Sequence, residues 1–170
     1  MSSSPSGQLQ ELGDRQAIAD LIARLGLMLD EKRFDESGSI LDAHVTVKTP
    51  GGSAQGREAV AAQARRNHTV RTQHVITNVL IELDGDRAQA RANLTATFAP
   101  DPGSQLLING EEQRASHLTL GEVYRFGAVR TADGWRLSTI ETEPVWSSQS
   151  LSGGARVEQA AHPAATAASS

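Results

Sequence analysis

Long alternating runs joined by Asp-Gly turns fill the second half of the chain, and they limit the possible folds more than any other feature. Four runs rich in strand-forming side chains span residues 72–83, 87–98, 116–130 and 135–143. Asp84-Gly85 separates the first two runs, and Asp133-Gly134 separates the last two. Asp-Gly between such runs is among the strongest hairpin signals in a single sequence. The sequence therefore predicts two long antiparallel hairpins.

The first half of the chain has helical periodicity instead. Apolar residues recur at helical spacing over residues 14–32, and Asp14 is the expected N-cap. Further helices are expected at 34–41 and 57–68, with a short strand at 45–48 between them. Three N-terminal helices followed by long strands predict an α+β domain in which a strongly bent, mostly antiparallel sheet packs on the helices. Such a sheet encloses a cone, which is a usual shape for a small-molecule pocket.

Composition narrows the class of protein. A chain of 170 residues fits one domain, which we place at residues 9–146 with flexible ends at 1–8 and 147–170 and a loop at 99–112. The net charge of −4 forms no basic stripe, so nucleic acid is not expected as a partner. Without cysteine there is no thiolate nucleophile and no cysteine-ligated metal site. No apolar run has a membrane-spanning length, and we expect a cytoplasmic protein.

His74 is the one titratable side chain in the middle of the first long run. Histidine exchanges protons near neutral pH because its unperturbed pKa is roughly 6.5. A strand position would fix the direction of its ring, which suits a general acid or base. A hydrogen-bonded structural histidine remains the alternative. Histidine spacing in the chain supports no metal site.

Several short motifs occur in a fixed order: Asp14-Arg15-Gln16-Ala17-Ile18, Leu29-Asp30, Phe34-Asp35, Gly56-Arg57-Glu58-Ala59, Thr72-Gln73-His74 with Thr77-Asn78, and Asp133-Gly134-Trp135-Arg136. Over residues 13–146 this set resembles the SnoaL-like family of the nuclear-transport-factor-2-like (NTF2-like) superfamily. The resemblance implies a cone-shaped α+β barrel with a pocket between helices and sheet. It also implies a homodimer formed through the outer face of the sheet.

The resemblance further implies particular site residues. In the SnoaL-like and dehydratase branches, an aspartate late in the first helix faces a histidine on the strand after the third helix, and these positions correspond to Asp30 and His74. His117 is the candidate for a second histidine like that of scytalone dehydratase. The alternation of side chains along its strand does not decide whether His117 faces the pocket or the surface. Leu25 stands where many relatives carry a carbonyl-polarising tyrosine. Leu25, Tyr124 and Trp146 are the expected substrate-binding residues.

A carboxylate and an imidazole facing each other across an apolar cavity could abstract a proton next to a carbonyl. The first hypothesis is therefore a cofactor-independent enzyme that cyclises, dehydrates or isomerises a hydrophobic, polyketide-like molecule, with a place in secondary metabolism. A second hypothesis is a non-catalytic NTF2-like binding or dimerisation module. A third is an epoxide hydrolase of the limonene-epoxide hydrolase type.

Overall fold

The computed structural model describes residues 4–101, 106–108, 111–113 and 115–151. Three helices, a 3-10 turn and eight strands follow one another in this order: α1 (Pro5–Asp30), the turn (Phe34–Glu36), α2 (Ser37–Ile40), β1 (Leu41–Thr49), β2 (Gly52–Gln55), α3 (Arg57–Asn67), β3 (Arg71–Asp84), β4 (Arg87–Ala99), β5 (Leu106–Ile108), β6 (Glu111–Gln113), β7 (Ala115–Thr131) and β8 (Gly134–Leu151). The predicted α+β class is confirmed.

The main sheet has six strands in the order β2-β1-β8-β7-β4-β3 and is curved without closing. Its β1–β8 pairing is parallel and its other four pairings are antiparallel. The two predicted hairpins are β3–β4 and β7–β8, and β4 pairs with β7 to join them. A small separate hairpin, β5–β6, occupies part of the segment predicted as a loop.

Helix α1 begins earlier than the predicted residue 14. Ser4 is the N-cap, its hydroxyl accepts a hydrogen bond of 3.3 Å from the Gly7 amide, and Pro5 takes the first helical position. The helix therefore includes part of the segment predicted as flexible. Asp14 is not a cap: it lies buried within the helix, where it contacts β7 and β8.

A β-bulge in β3 keeps both halves of this long strand facing the core. Asn78 has a φ of 55°, and the pairing with β4 shifts register between Thr77 and Leu80. The inward positions change parity across the bulge, from Thr72, His74 and Ile76 to Val79, Ile81 and Leu83. His74 and the distal apolar residues thus share the inner face, which packs against α1.

Other boundaries differ from the predictions where tertiary pairing decides them. The helix expected at 34–41 is the 3-10 turn followed by α2, and the strand expected at 45–48 is the longer β1, paired with the unpredicted β2. Strand β8 continues to Leu151, beyond the predicted domain end at 146. The rest of the predicted tail lies outside the described residues. Among the described helices, none has the length and apolar composition needed to cross a membrane.

Candidate active site

The last residue of α1, Asp30, meets His74, the second inner-face residue of β3. The His74 ring nitrogen Nδ1 lies 2.6 Å from Oδ1 of Asp30, and the His74 backbone amide donates to Oδ2 at 2.9 Å. The His74 side chain is 3% exposed and that of Asp30 is 22% exposed. The structure therefore brings together the two residues that the sequence paired, and two contacts fix the carboxylate against the strand.

Two further side chains hold Asp30 in place. The Thr72 hydroxyl donates to Oδ1 of Asp30 at 3.0 Å and accepts from Nζ of Lys32 at 3.0 Å. Lys32 also donates to the Leu29 carbonyl at 3.1 Å. Its φ of 60° turns the chain sharply after α1, which returns this ammonium group to the helix end. Lys32, the last residue of the predicted first helix, is thus part of the site.

The surroundings of His74 favour a neutral imidazole. Burial lowers the pKa of His74 below its usual value of 6.5, the Asp30 carboxylate opposes this shift, and the Lys32 charge adds to it. A neutral ring in contact with a carboxylate carries its proton on Nδ1 and donates it to Asp30. Nε2 is then the unprotonated nitrogen, so His74 can accept a proton there.

His74 lines a cavity of about 330 Å³ between the inner face of the sheet and the end of α3. Its sheet wall is formed by inward side chains of three strands, namely His74, Leu94, Ala96, Phe98, Leu118, Leu120, Glu122 and Tyr124, with Thr142 from a fourth. Residues 49–51 and 66–70 line its other side. A smaller apolar chamber of about 80 Å³ adjoins it and is lined by Leu25 and Tyr124 among others.

His68 stands beside His74 at this cavity, although the sequence indicated only a helix-end residue. Its ring centroid lies 5.3 Å from that of His74 and 5.7 Å from that of Phe98. Nδ1 of His68 lies 2.9 Å from the Ala64 carbonyl, to which it donates. Burial lowers the pKa of His68 to about 4, and the neighbouring His74 and Lys32 add to this shift. His68 therefore presents a second neutral imidazole.

Glu122 is a second acid in the site that the sequence reasoning missed. It is 9% exposed, lies on β7 between Leu120 and Tyr124 in the cavity wall, and burial raises its pKa. A signal was available, because alternation places residues 118, 120, 122 and 124 on one strand face and only Glu122 is charged among them. Tyr124 is buried as well, which raises the pKa of its phenol.

Two of the predicted site residues lie elsewhere. His117 is half-buried on β7, and because Leu118 points into the cavity, alternation turns His117 to the other face. Trp146 is 51% exposed and covers Gly121 on the outer face, where a Cβ on Gly121 would overlap the indole ring. Neither residue lines the cavity, whereas Leu25 and Tyr124 line the apolar chamber.

The acidic and histidine side chains at this cavity are not arranged as a metal site in the part of the chain that the structure describes. Among the described residues, no group of three or more His, Asp or Glu side chains is placed to hold a metal ion. Asp30 is instead occupied by donors from His74 and Thr72. The arrangement is a carboxylate in contact with an imidazole at the wall of a mostly apolar cavity.

Comparisons with known proteins bear on the fold of this chain. A search of curated proteins finds no match. Among solved structures, an NTF2-like protein with a cystatin-like fold from Novosphingobium aromaticivorans is 23% identical, with a TM-score of 0.64 over 81% of this chain and 85% of that one. A scytalone dehydratase-like protein from the same organism is 17% identical, with a TM-score of 0.69 over 89% and 97%. At these identities the likeness shows the fold alone.

A third structure of this fold is the hexachlorocyclohexane dehydrochlorinase LinA-type3 from Novosphingobium barchaimii. It is 18% identical, with a TM-score of 0.71 over 89% of this chain and 99% of that one. The predicted NTF2-like fold is therefore confirmed. The model of the SnoaL-like domain family matches residues 10–141, which is most of the chain. With its α+β fold, its cavity and this match, the chain belongs to the SnoaL-like family.

Proposed function

We propose that this protein is a cofactor-independent enzyme in which His74 abstracts a proton from a carbon atom of a hydrophobic small molecule. The 2.6 Å contact between Asp30 and His74 at the cavity wall carries this proposal. Asp30 orients the ring and stabilises the imidazolium that forms when Nε2 takes the proton. The apolar wall formed by Leu94, Ala96 and Phe98 suits a largely apolar substrate.

Proton abstraction would leave an electron pair that must be stabilised or used. If the carbon lies next to a carbonyl, the electron pair forms an enolate, which can be reprotonated elsewhere, attack a second carbonyl or expel a β-substituent. The Tyr124 phenol can donate a hydrogen bond within the site, since its raised pKa keeps it protonated. This places a donor in the chamber lined by Leu25, where many family members carry a tyrosine on the first helix.

Elimination is the outcome that the structural neighbours favour. The names of two of them, a dehydrochlorinase and a scytalone dehydratase-like protein, both denote loss of a proton together with a leaving group. We therefore place dehydration or a related elimination ahead of isomerisation and ring closure. All three begin with the same step at His74, so this step is the one to test.

Exchange of α-protons in 2-tetralone provides that test, because it needs neither the natural substrate nor a complete reaction. In D₂O at pH 7 the wild-type protein should accelerate exchange, measured by proton NMR, above the rate in buffer. His74→Ala should lower the enzyme-dependent rate by roughly 10²–10⁴-fold, the usual contribution of a general base. Asp30→Asn should lower it less. As pH falls, the rate should decrease only below 6.5, since burial lowers the pKa of His74.

His44→Ala is the matched control, because His44 is an exposed histidine outside the cavity lining. Its exchange rate should equal that of the wild-type protein. If His74→Ala exchanges protons as fast as wild type, His74 is not the base. Ligand binding without any exchange would favour the non-catalytic binding module.

We also propose a homodimer formed through the outer face of the sheet. Among the described residues, the large apolar side chains exposed on this face include Val75 and Leu80 on β3 and Trp146 on β8. Burying them against a second copy would remove this apolar surface from water. The cavity opens from the inner face, so dimerisation would leave the site intact.

A further inference from the structure

A second polar position lies in the cavity wall, away from the Asp30 and His74 contact. Glu122 on β7 and Thr142 on β8 both line the cavity, and Tyr124, which neighbours Glu122 on the inner face, pairs in register with Thr142. Among the described side chains, no lysine, arginine or histidine forms an ion pair with Glu122. The Thr142 hydroxyl is buried and has no hydrogen-bond partner in the described part of the chain.

Such groups are costly to keep in a protein interior. A buried carboxyl without a cation loses hydration without compensation, and a buried hydroxyl without a partner loses a hydrogen bond that water would supply. Asp14 shows the usual solution in this same protein, because its buried carboxylate accepts from both Arg130 and Trp135. Glu122 has no charged partner among the described side chains, the Thr142 hydroxyl beside it makes no hydrogen bond of normal geometry, and both residues line the cavity. We take this to indicate that the missing partner is a ligand.

The sheet register fixes the distance between this position and His74. His74 pairs with Ala96, Ala96 pairs with Leu120, and Glu122 lies two residues further along β7. Two strand spacings of about 4.8 Å and two residue rises of about 3.4 Å separate the Cα atoms of His74 and Glu122 by roughly 12 Å. Both side chains point into the concave face, so the gap between their polar ends suits one small ring system.

We propose that Glu122 and Thr142 bind the carbonyl oxygen of the substrate, so that the substrate is a compact apolar ketone and Glu122 is its polarising acid. This rests on the proposed proton abstraction by His74. As the α C–H bond breaks, its proton goes to Nε2 of His74, and its electron pair forms the C=C bond of an enolate. The carbonyl π pair moves to the oxygen, where the Glu122 carboxyl and the Thr142 hydroxyl donate hydrogen bonds.

The environment of Glu122 is consistent with a donor. Burial raises its pKa, and the nearby Thr142 hydroxyl only partly offsets this, although it makes no hydrogen bond of normal geometry. A raised pKa increases the fraction of the protonated carboxyl, which can donate, whereas a carboxylate can only accept. A ketone oxygen is an acceptor without a proton, so it is the complementary group.

Paired probes separate recognition of the oxygen from apolar burial. 2-Tetralone and tetralin share a carbon skeleton and differ in the ketone, and their dissociation constants can be measured by ligand-observed NMR. The wild-type protein should bind 2-tetralone at least tenfold more tightly than tetralin. Glu122→Leu should reduce this ratio to near one, and Thr142→Val should reduce it partly. Glu143→Leu, the same change at an exposed site on β8, should leave it unchanged.

The carbonyl stretch provides a readout that a purely structural role would not move. Bound to the wild-type protein, 2-tetralone labelled with ¹³C at the carbonyl should show its infrared C=O band at lower frequency than in buffer. In Glu122→Leu the band should return toward the free value. Should that variant not fold, Thr142→Val supplies the comparison, with a smaller return. An equal band position in wild-type protein and both variants would overturn the assignment.

The two proposals can fail separately. His74→Ala should abolish proton exchange while keeping the preference for the ketone and the shifted band. If wild-type protein shifts the band and prefers the ketone but exchanges no protons, proton abstraction is wrong and the carbonyl site stands. If exchange depends on His74 while Glu122→Leu leaves both affinity ratio and band unchanged, the carbonyl site is wrong and proton abstraction stands.

Discussion

His68 has an imidazole that stays neutral at pH values where an exposed histidine would be charged. Burial is the main cause, and the ring already donates from Nδ1 to the Ala64 carbonyl. Its second nitrogen can then only accept, as can Nε2 of the neighbouring His74. The two rings lie 5.3 Å apart, measured between their centroids. The pair also couples the stability of the fold to pH.

Replacing His68 should flatten the acid dependence of stability. The unfolded chain binds a proton on this imidazole near pH 6.5, whereas the folded protein does so only near pH 4. Between these values protons favour the unfolded state, so acidification lowers the free energy of unfolding. Between pH 7 and pH 4, the free energy of unfolding of the wild-type protein should fall by about 1–3 kcal/mol more than that of His68→Gln. Urea denaturation at several pH values measures this difference.

The exposed His44 provides the comparison for this experiment. His44→Gln should follow the wild-type pH profile. Identical profiles for wild type and His68→Gln would show that the His68 imidazole titrates normally in the folded protein, contrary to its buried position.

Some of these site residues could be predicted from the sequence and others could not. Asp30 and His74 were identified through short motifs whose order marks the family, and the structure places them in contact. Glu122 required only the alternation of its strand to be applied to a single charged residue. His68 was out of reach, because its position beside His74 depends on how α3 packs across the sheet. No local pattern encodes that packing.

At the scale of elements, a partly buried ion pair between Asp14 and Arg130 joins α1 to the β7–β8 hairpin, and Arg130 also contacts the β3–β4 turn. Arg130 on β7 donates to Asp14 at 2.6 Å and 2.9 Å and to Asp86 in the β3–β4 turn at 3.0 Å. The Trp135 indole donates to the same Asp14 carboxylate at 3.0 Å, and the Arg130 guanidinium stacks over its ring. These contacts lower the pKa of Asp14 to about 2. We call these contacts of Asp14 with Arg130 and Trp135 the clamp, because they hold α1 against the sheet at the end of the fold opposite Asp30.

Removing the charge of Asp14 should loosen this clamp. Asp14→Asn should reduce the free energy of unfolding at pH 7 by about 1–2 kcal/mol, because charged hydrogen bonds to Arg130 are lost in a partly buried position, where solvent screens the pair. In the wild-type protein, the contribution of the Asp14–Arg130 pair to the free energy of unfolding should be complete above pH 4. It should disappear as pH falls toward 2, because protonation of Asp14 breaks the pair. Urea denaturation at several pH values measures both effects.

Asp20→Asn is the matched change on the same helix, at an exposed residue whose contact is with Gln16. It should alter stability by less than about 0.5 kcal/mol. Equal effects of the two substitutions would remove the clamp as a source of stability.

Local signals predicted the hairpins and missed the elements that pairing creates. Alternation and Asp-Gly turns lie within the strands they specify, so β3, β4 and β7 fell within a residue or two of their predicted bounds. Strand β2 reads Gly-Ser-Ala-Gln, which has little strand propensity, and it forms through its pairing with β1. The first turns of α1 carry exposed Leu9 and Leu12 rather than a buried stripe, so periodicity did not reveal them.

At the scale of the whole molecule, the two faces of the sheet have different roles. The inner face contributes the cavity wall, and the outer face exposes Val75, Leu80 and Trp146. Apolar side chains on a paired sheet surface are typical of an interface between copies of a chain. Dimerisation is therefore expected to depend on the outer face alone.

A charge placed on this face should disrupt the dimer. Leu80→Asp should shift the sedimentation coefficient at micromolar concentration from that of a dimer to that of a monomer. The reason is that a carboxylate buried in the interface would lose its hydration without gaining a partner. Leu9→Asp makes the same change at another exposed leucine, on α1, and should remain a dimer. A wild-type protein that sediments as a monomer would contradict the proposed interface.

The positions of the two tryptophans make them independent optical probes. Trp135 is buried in the clamp between α1 and β8, whereas Trp146 is half-exposed on the outer face, and neither lines the cavity. The fluorescence emission maximum of Trp135 should shift to longer wavelength on unfolding. That of Trp146 should shift to shorter wavelength when two copies associate. Fluorescence of single-tryptophan variants can thus follow folding and assembly separately, while ligands that enter the cavity leave both signals nearly unchanged.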